Sequence, residues 1–519
     1  MPRRHIIIVG AGPAGLLLAH ALLGERFRID VIEKESRNEL CSPGRTRALV
    51  LGVRGQSALQ SCDDGQLWAA IAPLCTHISA LVEHAGDGSA TRRPLPTPVA
   101  AVSRSALLAV MLTRLEARVL AMRAEGKNPL LRVRFSTRAV GVDMDDNVLR
   151  LATADTPSVG LAFDVLVGAD GQDSAVRSGL IACVPCYGYR LSARADSSAC
   201  CRRPGVNFKQ HWVGRMSRAF FVATGSGPGV IPGDSVHTML PRSLDHIEPP
   251  AEVEGAADEE EHEAAPDTRG VLALAASAVF QPRAALRYVM AVPDSVASVT
   301  PVHDGFIVEL TWSAEAPPVQ LAQPKLVPRD KLLDFVTLRF PMLAMVIEEA
   351  RELQPSPQAT RAIYLNTYCD PRHRSVVVIG DAAHAAAPSA GQATAAALSD
   401  AAALGRLLSE KADLREAVAM FSDAAVPEGH ALVRLSSSLP AYMPLSFPPW
   451  MRSLERHGWD AWALLLDALP PKLASRLRGE SLEDALFGSF VPYTDVQKRF
   501  SVLLSAAMLL NGYRDGAVF

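Results

Sequence analysis

A chain of 519 residues that is 49% hydrophobic, 21% charged and formally −3 has the length for two or three domains and the apolar content for a large core. Its near-neutral balance gives no electrostatic footprint for nucleic acid. No apolar run reaches the ~18 residues that cross a bilayer, and a first strand starting at His5 leaves no room for a targeting segment.

The eight cysteines (Cys41, Cys62, Cys75, Cys183, Cys186, Cys200, Cys201 and Cys369) follow no signal peptide and read as reduced thiols of a cytosol-like compartment. Cys183 and Cys186 are spaced C-x-x-C, but the adjacent Cys200 and Cys201 make a poor second pair for one ion, so no metal site is expected.

His5 to Val9 is an unbroken apolar run that closes on Gly10-Ala11-Gly12-Pro13-Ala14-Gly15. Leu16 to Leu23 continues at helical spacing, and a second strand, Arg28 to Ile32, ends at Glu33. Strand, glycine turn, helix, strand and acid in this order are the signature of a dinucleotide fold. Gly10 permits the tight turn, Gly12 lets backbone approach a pyrophosphate, Gly15 lets helix and strand pack closely, and Glu33 can accept from a ribose hydroxyl. A later cluster, Gly225-Ser226-Gly227-Pro228-Gly229, has no helix after it and reads as a loop.

Pro43-Gly44-Arg45-Thr46-Arg47 is a turn bearing two arginines, readable on its own as a solvated basic loop. Arg54 to Leu67 has helical spacing, and Ser79 to Val99 reads as a hairpin with its turn at Gly86-Asp87-Gly88. Ser105 to Glu125 is strongly helical. Arg104 stands at its N-terminus, misplaced with respect to the dipole unless it faces a phosphate or another acceptor, surface exposure being the equal alternative.

Phe163 to Arg177 repeats the opening architecture, with an apolar strand, Gly168-Ala169-Asp170-Gly171 and a helix start. Ser375 to Ala401 does so again: Val376 to Ile379, then Gly380-Asp381, then a helix start at Gly391-Gln392. In a parallel sheet such strand ends gather at one edge, where a long cofactor lies. A helix start there favours a negative charge placed against it.

Between Ile181 and Glu352 the segments alternate as in an antiparallel sheet, for example His211 to Thr224, Leu286 to Pro293 and Phe306 to Trp312. Within this block residues 248–267 are acidic and proline-containing and read as a solvated, mobile insertion. Met420 to Leu439 is helical again. In the tail, Trp450, Trp459 and Trp462 fall within thirteen residues, and Pro449 to Leu469 would present Trp450, Leu454, Ala461, Trp462, Leu465 and Leu469 near one face; core packing is the first reading, and a peripheral membrane or protein contact through 449–510 the second.

With GAGPAG and Glu33, DVLVGADGQDSAVR, and GDAAHAAAPSAGQ in this order, the chain resembles the FAD-dependent aromatic-ring hydroxylase family of single-component flavoprotein monooxygenases over about half its length. Pro43 to Leu59, the AVSRSALL segment, Phe280 to Asp294 and Tyr368 to His384 are similar to the kynurenine 3-monooxygenase branch. The resemblance implies an α/β fold: a glutathione-reductase-like, Rossmann-type FAD-binding domain, an inserted antiparallel β-sheet substrate domain and a helical C-terminal region. The expected bounds are 1–75, 101–182 and 360–425 for the first, 76–100 and 183–359 for the second, and 426–519 for the third.

The same resemblance implies FAD as resident cofactor, NADPH or NADH as transient reductant, and hydroxylation of a small aromatic or related substrate by O2 through a flavin C4a-hydroperoxide. The chemistry is then borne by the flavin, with no catalytic side chain. Gly10, Gly12, Ala14 and Gly15 would face the pyrophosphate and Glu33 the adenosine ribose. Arg45 or Arg47, with Arg104, would lie near the pyrophosphate or ribityl chain, and Asp170 and Gly171 near the pyrophosphate and the route of the nicotinamide. Gly380 and Asp381 would hold the ribityl chain, and Pro388, Gly391, Gln392 and Ala393 would line the ring. His384 is expected to pack beside the cofactor.

Two alternatives stand beside this reading: another FAD redox enzyme, such as an epoxidase or halogenase, and a non-catalytic scaffold that keeps the fold. The second is motivated by Ala393 and Ala395, which stand where the family has a glycine and an asparagine. A methyl at Ala393 costs ~1 kcal/mol if that position needs positive φ. Placement is cytoplasmic by default, with an organelle-membrane periphery as the alternative.

Overall fold

The computed structural model describes residues 3–42, 47–84, 90–153, 159–182, 208–223, 235–239, 295–303, 305–313, 329–340, 343, 352–353, 358–387, 391–438 and 484–501. Several expectations lie outside the described residues: the 225–229 loop, the acidic stretch 248–267, the 286–293 strand, Cys183, Cys186, Cys200, Cys201, and the three tail tryptophans.

The chain begins with β1 (Arg4–Val9), α1 (Pro13–Leu22), β2 (Phe27–Ile32), β3 (Ala48–Leu51), α2 (Val53–Gln60), β4 (Thr76–His84), β5 (Ala90–Ser103) and α3 (Arg104–Ala124). It continues with β6 (Leu130–Arg134), β7 (Arg138–Asp143), β8 (Val148–Ala152), β9 (Val159–Ala162), β10 (Val165–Gly168) and α4 (Ala175–Ala182). Next come β11 (Phe208–Ala223), β12 (Ser235–Met239), β13 (Ser295–Val302), β14 (Gly305–Ser313), β15 (Glu352–Leu353), β16 (Gln358–Leu365) and β17 (Val376–Val378). The last helices are α5 (Ala393–Glu410), α6 (Leu414–Ser438) and α7 (Tyr493–Arg499).

Five strands form a parallel sheet in the order β17-β10-β1-β2-β6. Ile6, Ile7 and Ile8 of β1 and Val165, Leu166 and Val167 of β10 are all buried, as strands covered on both faces must be. Helices α1 and α5 pack on each other beside this sheet, so closely that a side chain at Gly405 would start 2.6 Å from the Ala21 methyl. Helix α4 packs on β7 of a small antiparallel meander, β7-β8-β9.

A second sheet runs β15-β11-β14-β13-β12-β4-β5-β3, with β16 also pairing β11. It is antiparallel as expected except at one seam, where β12 runs parallel to β4. The hairpin expected at Ser79 to Val99 is the longer β4/β5 pair, and β3, from the N-terminal part of the chain, pairs with β5 at its far end.

One predicted helix is shorter than its periodicity suggested. The run from Arg54 to Leu67 stops at Gln60, because Asp63 and Asp64 take positive φ of 55° and 49°. The Asp63 carboxylate turns to α3 instead, where it meets Arg114 Nε at 2.9 Å and Arg118 Nε at 3.0 Å. Pairing two guanidinium groups across elements outweighs one more turn of helix.

Candidate functional site

The three glycine/acid turns meet at the C-terminal edge of the parallel sheet. Consecutive turns are stitched by backbone bonds: Gly10 N–H donates to Ile32 at 2.7 Å, Ala169 N–H to Val9 at 2.7 Å, and Ile379 N–H to Gly168 at 2.9 Å. Gly15 is required by close approach, since a β-carbon there would fall 2.0 Å from the Gly10 carbonyl oxygen. Gly12, the residue before α1, faces no heavy atom within 4 Å, so the N-terminus of that helix opens on free space. Glu33 is buried and shapes the turn: one carboxylate oxygen accepts from Ala11 N–H at 2.7 Å and the other from Glu35 N–H at 2.9 Å.

Asp170 Oδ2 accepts from the first N–H groups of α4, Ala175 at 2.7 Å and Val176 at 3.3 Å. Its Oδ1 is buried and has no hydrogen-bond partner among the described residues. Burial pushes this carboxyl up, against the pull of those same bonds. Gly171, next to it, has φ +79°. Arg177, quoted in the motif but given no role from sequence, is buried and joins two turns, donating to the carbonyls of Gln172 at 2.6 Å and Ala382 at 3.0 Å.

Asp381 begins a single helical turn, Asp381–His384, directly after β17. Its side chain is exposed at the sheet edge although protein closely surrounds it. Burial pushes its carboxyl up, and His384, Arg47, Arg104 and Arg177 pull it back down. Arg104 is half-buried near Glu35, Glu33 and Asp381, and its N–H donates to the Arg47 carbonyl at 2.9 Å. The dipole misplacement noted in the sequence is therefore balanced by three acidic neighbours. Arg47 lies 3.6 Å from Glu309 on β14, an ion pair between the loop before β3 and the second sheet. Arg45 and Pro388 lie outside the described residues.

Gly391, with φ +61°, and Gln392 lead into α5, whose first residue is Ala393. Ala393 is helical, so the strain anticipated for a methyl at that position does not arise; the left-handed residue is Gly391. Ala395 is buried, with its methyl toward Gly55 of α2. Gln392 is 1% exposed, its Oε1 accepts from Tyr493 O–H at 3.3 Å, and its Nε2 is buried without a partner among the described residues.

Tyr493 and its neighbours are what sequence reasoning missed. Arg54 of α2 stacks 4.2 Å over the Tyr493 ring and donates to the Val491 carbonyl at 2.5 Å, while Glu428 accepts from Tyr493 N–H at 2.6 Å. The Phe487 ring lies against Gly391. Thus the described part of the tail, 484–501, turns inward onto the start of α5. The spacing of Tyr493 and Val496, both buried, was the one local signal of it.

Residues 3–186 match the FAD binding domain family. Over this N-terminal stretch the chain is similar to FAD binding domains. It is 29% identical to the kynurenine 3-monooxygenase of Salinispora arenicola over 179 residues, which are 34% of this chain and 37% of that one. It is 21% identical to the kynurenine 3-monooxygenase of Drosophila melanogaster over 444 residues, 84% of this chain and 76% of that one. The first relative is thus matched over little more than a third of its length. Among solved structures, the fold is similar to that of tetrameric 2-methyl-3-hydroxypyridine-5-carboxylic acid oxygenase, with TM-score 0.56, 17% identity, and 84% and 91% of the two chains covered. It is also similar to CtdE in complex with FAD and substrate, with TM-score 0.59, 11% identity, and 98% and 100% covered.

The residues in place fit an FAD. The edge offers an open helix start at Gly12, guanidinium groups at Arg47 and Arg104, and two buried polar atoms, Asp170 Oδ1 and Gln392 Nε2, with no protein partner among the described residues. Among the described residues no group of histidine, cysteine or carboxylate side chains could hold a metal ion, and no helix is long and apolar enough to cross a membrane.

Proposed function

We propose that this protein is an FAD-dependent monooxygenase that hydroxylates a small aromatic or related substrate, with O2 as oxidant and NADPH or NADH as transient reductant. The observation that carries the reading is the convergence of Gly12, Asp170 and Asp381 at one sheet edge, together with the arginines around Asp381. In this reading residues 1–75, 101–182 and 360–425 are a glutathione-reductase-like flavin domain. Residues 76–100 and 183–359 are an inserted substrate domain, and 426–519 a helical C-terminal region, with 449–510 as the segment for a peripheral membrane or protein contact.

The cofactor's pyrophosphate lies against the Gly10, Gly12, Ala14 and Gly15 turn, where the N–H groups and dipole of α1 favour its charge. Glu33 keeps lone pairs beyond its two backbone bonds and accepts from the adenosine ribose. Arg45 or Arg47, with Arg104, lies near the pyrophosphate or ribityl chain, and Asp170 and Gly171 border the pyrophosphate and the route of the nicotinamide. Gly380 and Asp381 hold the ribityl chain, and Pro388, Gly391, Gln392 and Ala393 line the ring, whose negatively charged edge is favoured by the start of α5. When bound, FAD supplies hydride acceptance and activation of O2. The chain itself excludes water and fixes dipoles, with the second sheet as the wall on the substrate side.

Ala393 is helical, so its methyl brings no backbone strain. The test is a visible spectrum of the purified protein, followed by NADPH and NADH oxidation with and without a panel of phenols, anilines and indoles. A bound-flavin spectrum with ligand-stimulated nicotinamide oxidation is expected. A colourless protein that takes up no added FAD sinks the proposal, and a yellow protein that neither nucleotide reduces favours the scaffold alternative.

A further inference from the structure

Asp400 lies two turns into α5, and a single carboxylate oxygen, Oδ2, serves two donors in the turn after β17. Gly380 N–H reaches it at 2.9 Å and His384 Nε2 at 2.6 Å. A carboxylate only accepts, so the His384 hydrogen is on Nε2. The contact is almost sealed, with the His384 side chain 3% and that of Asp400 12% exposed. Burial by itself lowers the His384 pKa, but the Asp400 charge and bond, with Asp381 beyond, raise it above its ordinary value.

Gly380 has φ +59° and ψ −140°, a backbone state that side-chain-bearing residues avoid, and a β-carbon there would meet the Ala397 methyl at 2.9 Å. This unusual residue sets the direction in which Asp381 leaves the strand. Helix α5 needs no charged staple to stay in place, because Leu398, Ala401, Leu404 and Leu408 bury its apolar face. Burying a carboxylate costs desolvation that a hydrophobic residue avoids, and what the charged pair adds is a fixed geometry.

We propose that Asp400 is a positioning residue for the flavin, holding through Gly380 and His384 the turn that presents Asp381 to the cofactor. The inference rests on the FAD reading above. Asp400 touches no cofactor atom in it and acts on binding through the backbone of Gly380.

The test is a double-mutant cycle on the full chain freed of flavin, with Kd for FAD read from quenching of flavin fluorescence and apoprotein stability from urea unfolding. Asp400→Ala removes the acceptor from two buried donors and is expected to raise Kd by ~10–100-fold. Asp400→Asn keeps a neutral, weaker acceptor and is expected to raise it by ~3–10-fold, which also covers the case of an unfolded alanine variant. In an Asp381→Ala background both changes should shrink to less than ~3-fold, because the group being positioned is gone.

An undiminished effect of either Asp400 variant in that background overturns the proposal and leaves a purely structural role. So does an Asp400→Asn single variant, with Asp381 intact, whose Kd stays within ~2-fold of wild type. Wild-type protein that binds no FAD overturns the flavin reading itself, so the two failures are distinct.

Discussion

Arg177 donates from Nη1 to the carbonyl of Ala382 at 3.0 Å, joining residues 205 apart in the chain. Its other donor group reaches the Gln172 carbonyl at 2.6 Å, so one buried side chain satisfies acceptors in two of the three turns that make the candidate site. Arg177→Ala leaves both carbonyls without that donor and is expected to destabilise the protein by about 3 kcal/mol, read as a lower urea midpoint at unchanged slope. Arg177→Lys, with one ammonium in place of a planar fork, should recover less than half of the loss. An alanine variant as stable as wild type would show that the clip between the turns carries no energy.

Asp30, 1% exposed in the middle of β2, takes His5 Nε2 at 2.7 Å and Arg134 Nε at 3.0 Å. Burial alone would push its carboxyl up, but these two hydrogen bonds hold it down at about 2. A carboxyl depressed on folding contributes stability that is full above the unfolded value of about 4 and is lost as pH falls toward about 2. Asp30→Asn should therefore be less stable than wild type by about 2 kcal/mol near neutrality, with the gap closing between about pH 4 and 2. A gap that stays constant over that window counts against the assignment.

His20 on α1 also loses stability as pH falls, but through a group that folding keeps neutral rather than charged. Its Nε2–H donates to the Met111 carbonyl at 2.9 Å and its Nδ1 faces Arg118 Nη1 at 3.3 Å, so it is held neutral. Burial first, then the Arg118 and Arg114 charges, lower its pKa to about 4. As pH falls from about 6.5 to about 4 the unfolded chain takes up a proton that the folded protein refuses, and stability is lost by about 3 kcal/mol. His20→Gln removes this slope. Urea unfolding of both proteins at about pH 7 and about pH 4.5 should show wild type losing more than the variant; parallel losses would exclude His20 as the source.

Tyr493→Phe deletes the hydroxyl that donates to Gln392 Oε1 while keeping the ring under Arg54. The buried amide oxygen then lacks the one side-chain donor it has among the described residues. A loss of about 1–2 kcal/mol in apoprotein stability is expected by urea unfolding. Arg54→Ala, which removes the cation over the ring and the bond to the Val491 carbonyl, should cost at least as much. No change in either variant would mean that the tail rests on the start of α5 without gripping it.

Gly10, Gly12, Gly15, Glu33, Asp170 and Asp381 were all legible as turn residues, since each is flagged by an apolar strand immediately before it and a helix start soon after. The roles of Arg177, Asp400 and Tyr493 were not. Ala382, His384 and Gln392, their respective partners, lie 205, 16 and 101 residues away, at separations that no local pattern encodes. For Ala393 the sequence pointed the wrong way, because a glycine in the family pattern suggested positive φ at that residue. The structure carries the left-handed turn two residues earlier, at Gly391.

The sequence by itself determined that this chain has three strand-turn-helix units of one kind, because strand burial, glycine turns and helix starts are set by residues within a few positions of one another. That the three units share one edge follows from the parallel pairing of their strands. Only the tertiary structure decided which charges meet there. Arg47, Arg104 and Arg177 converge around Asp381, and Asp400 reaches back to Gly380, because helices and strands distant in sequence are forced together by burial of their apolar faces. The polar groups carried along must then find partners, or keep an open bond toward a ligand.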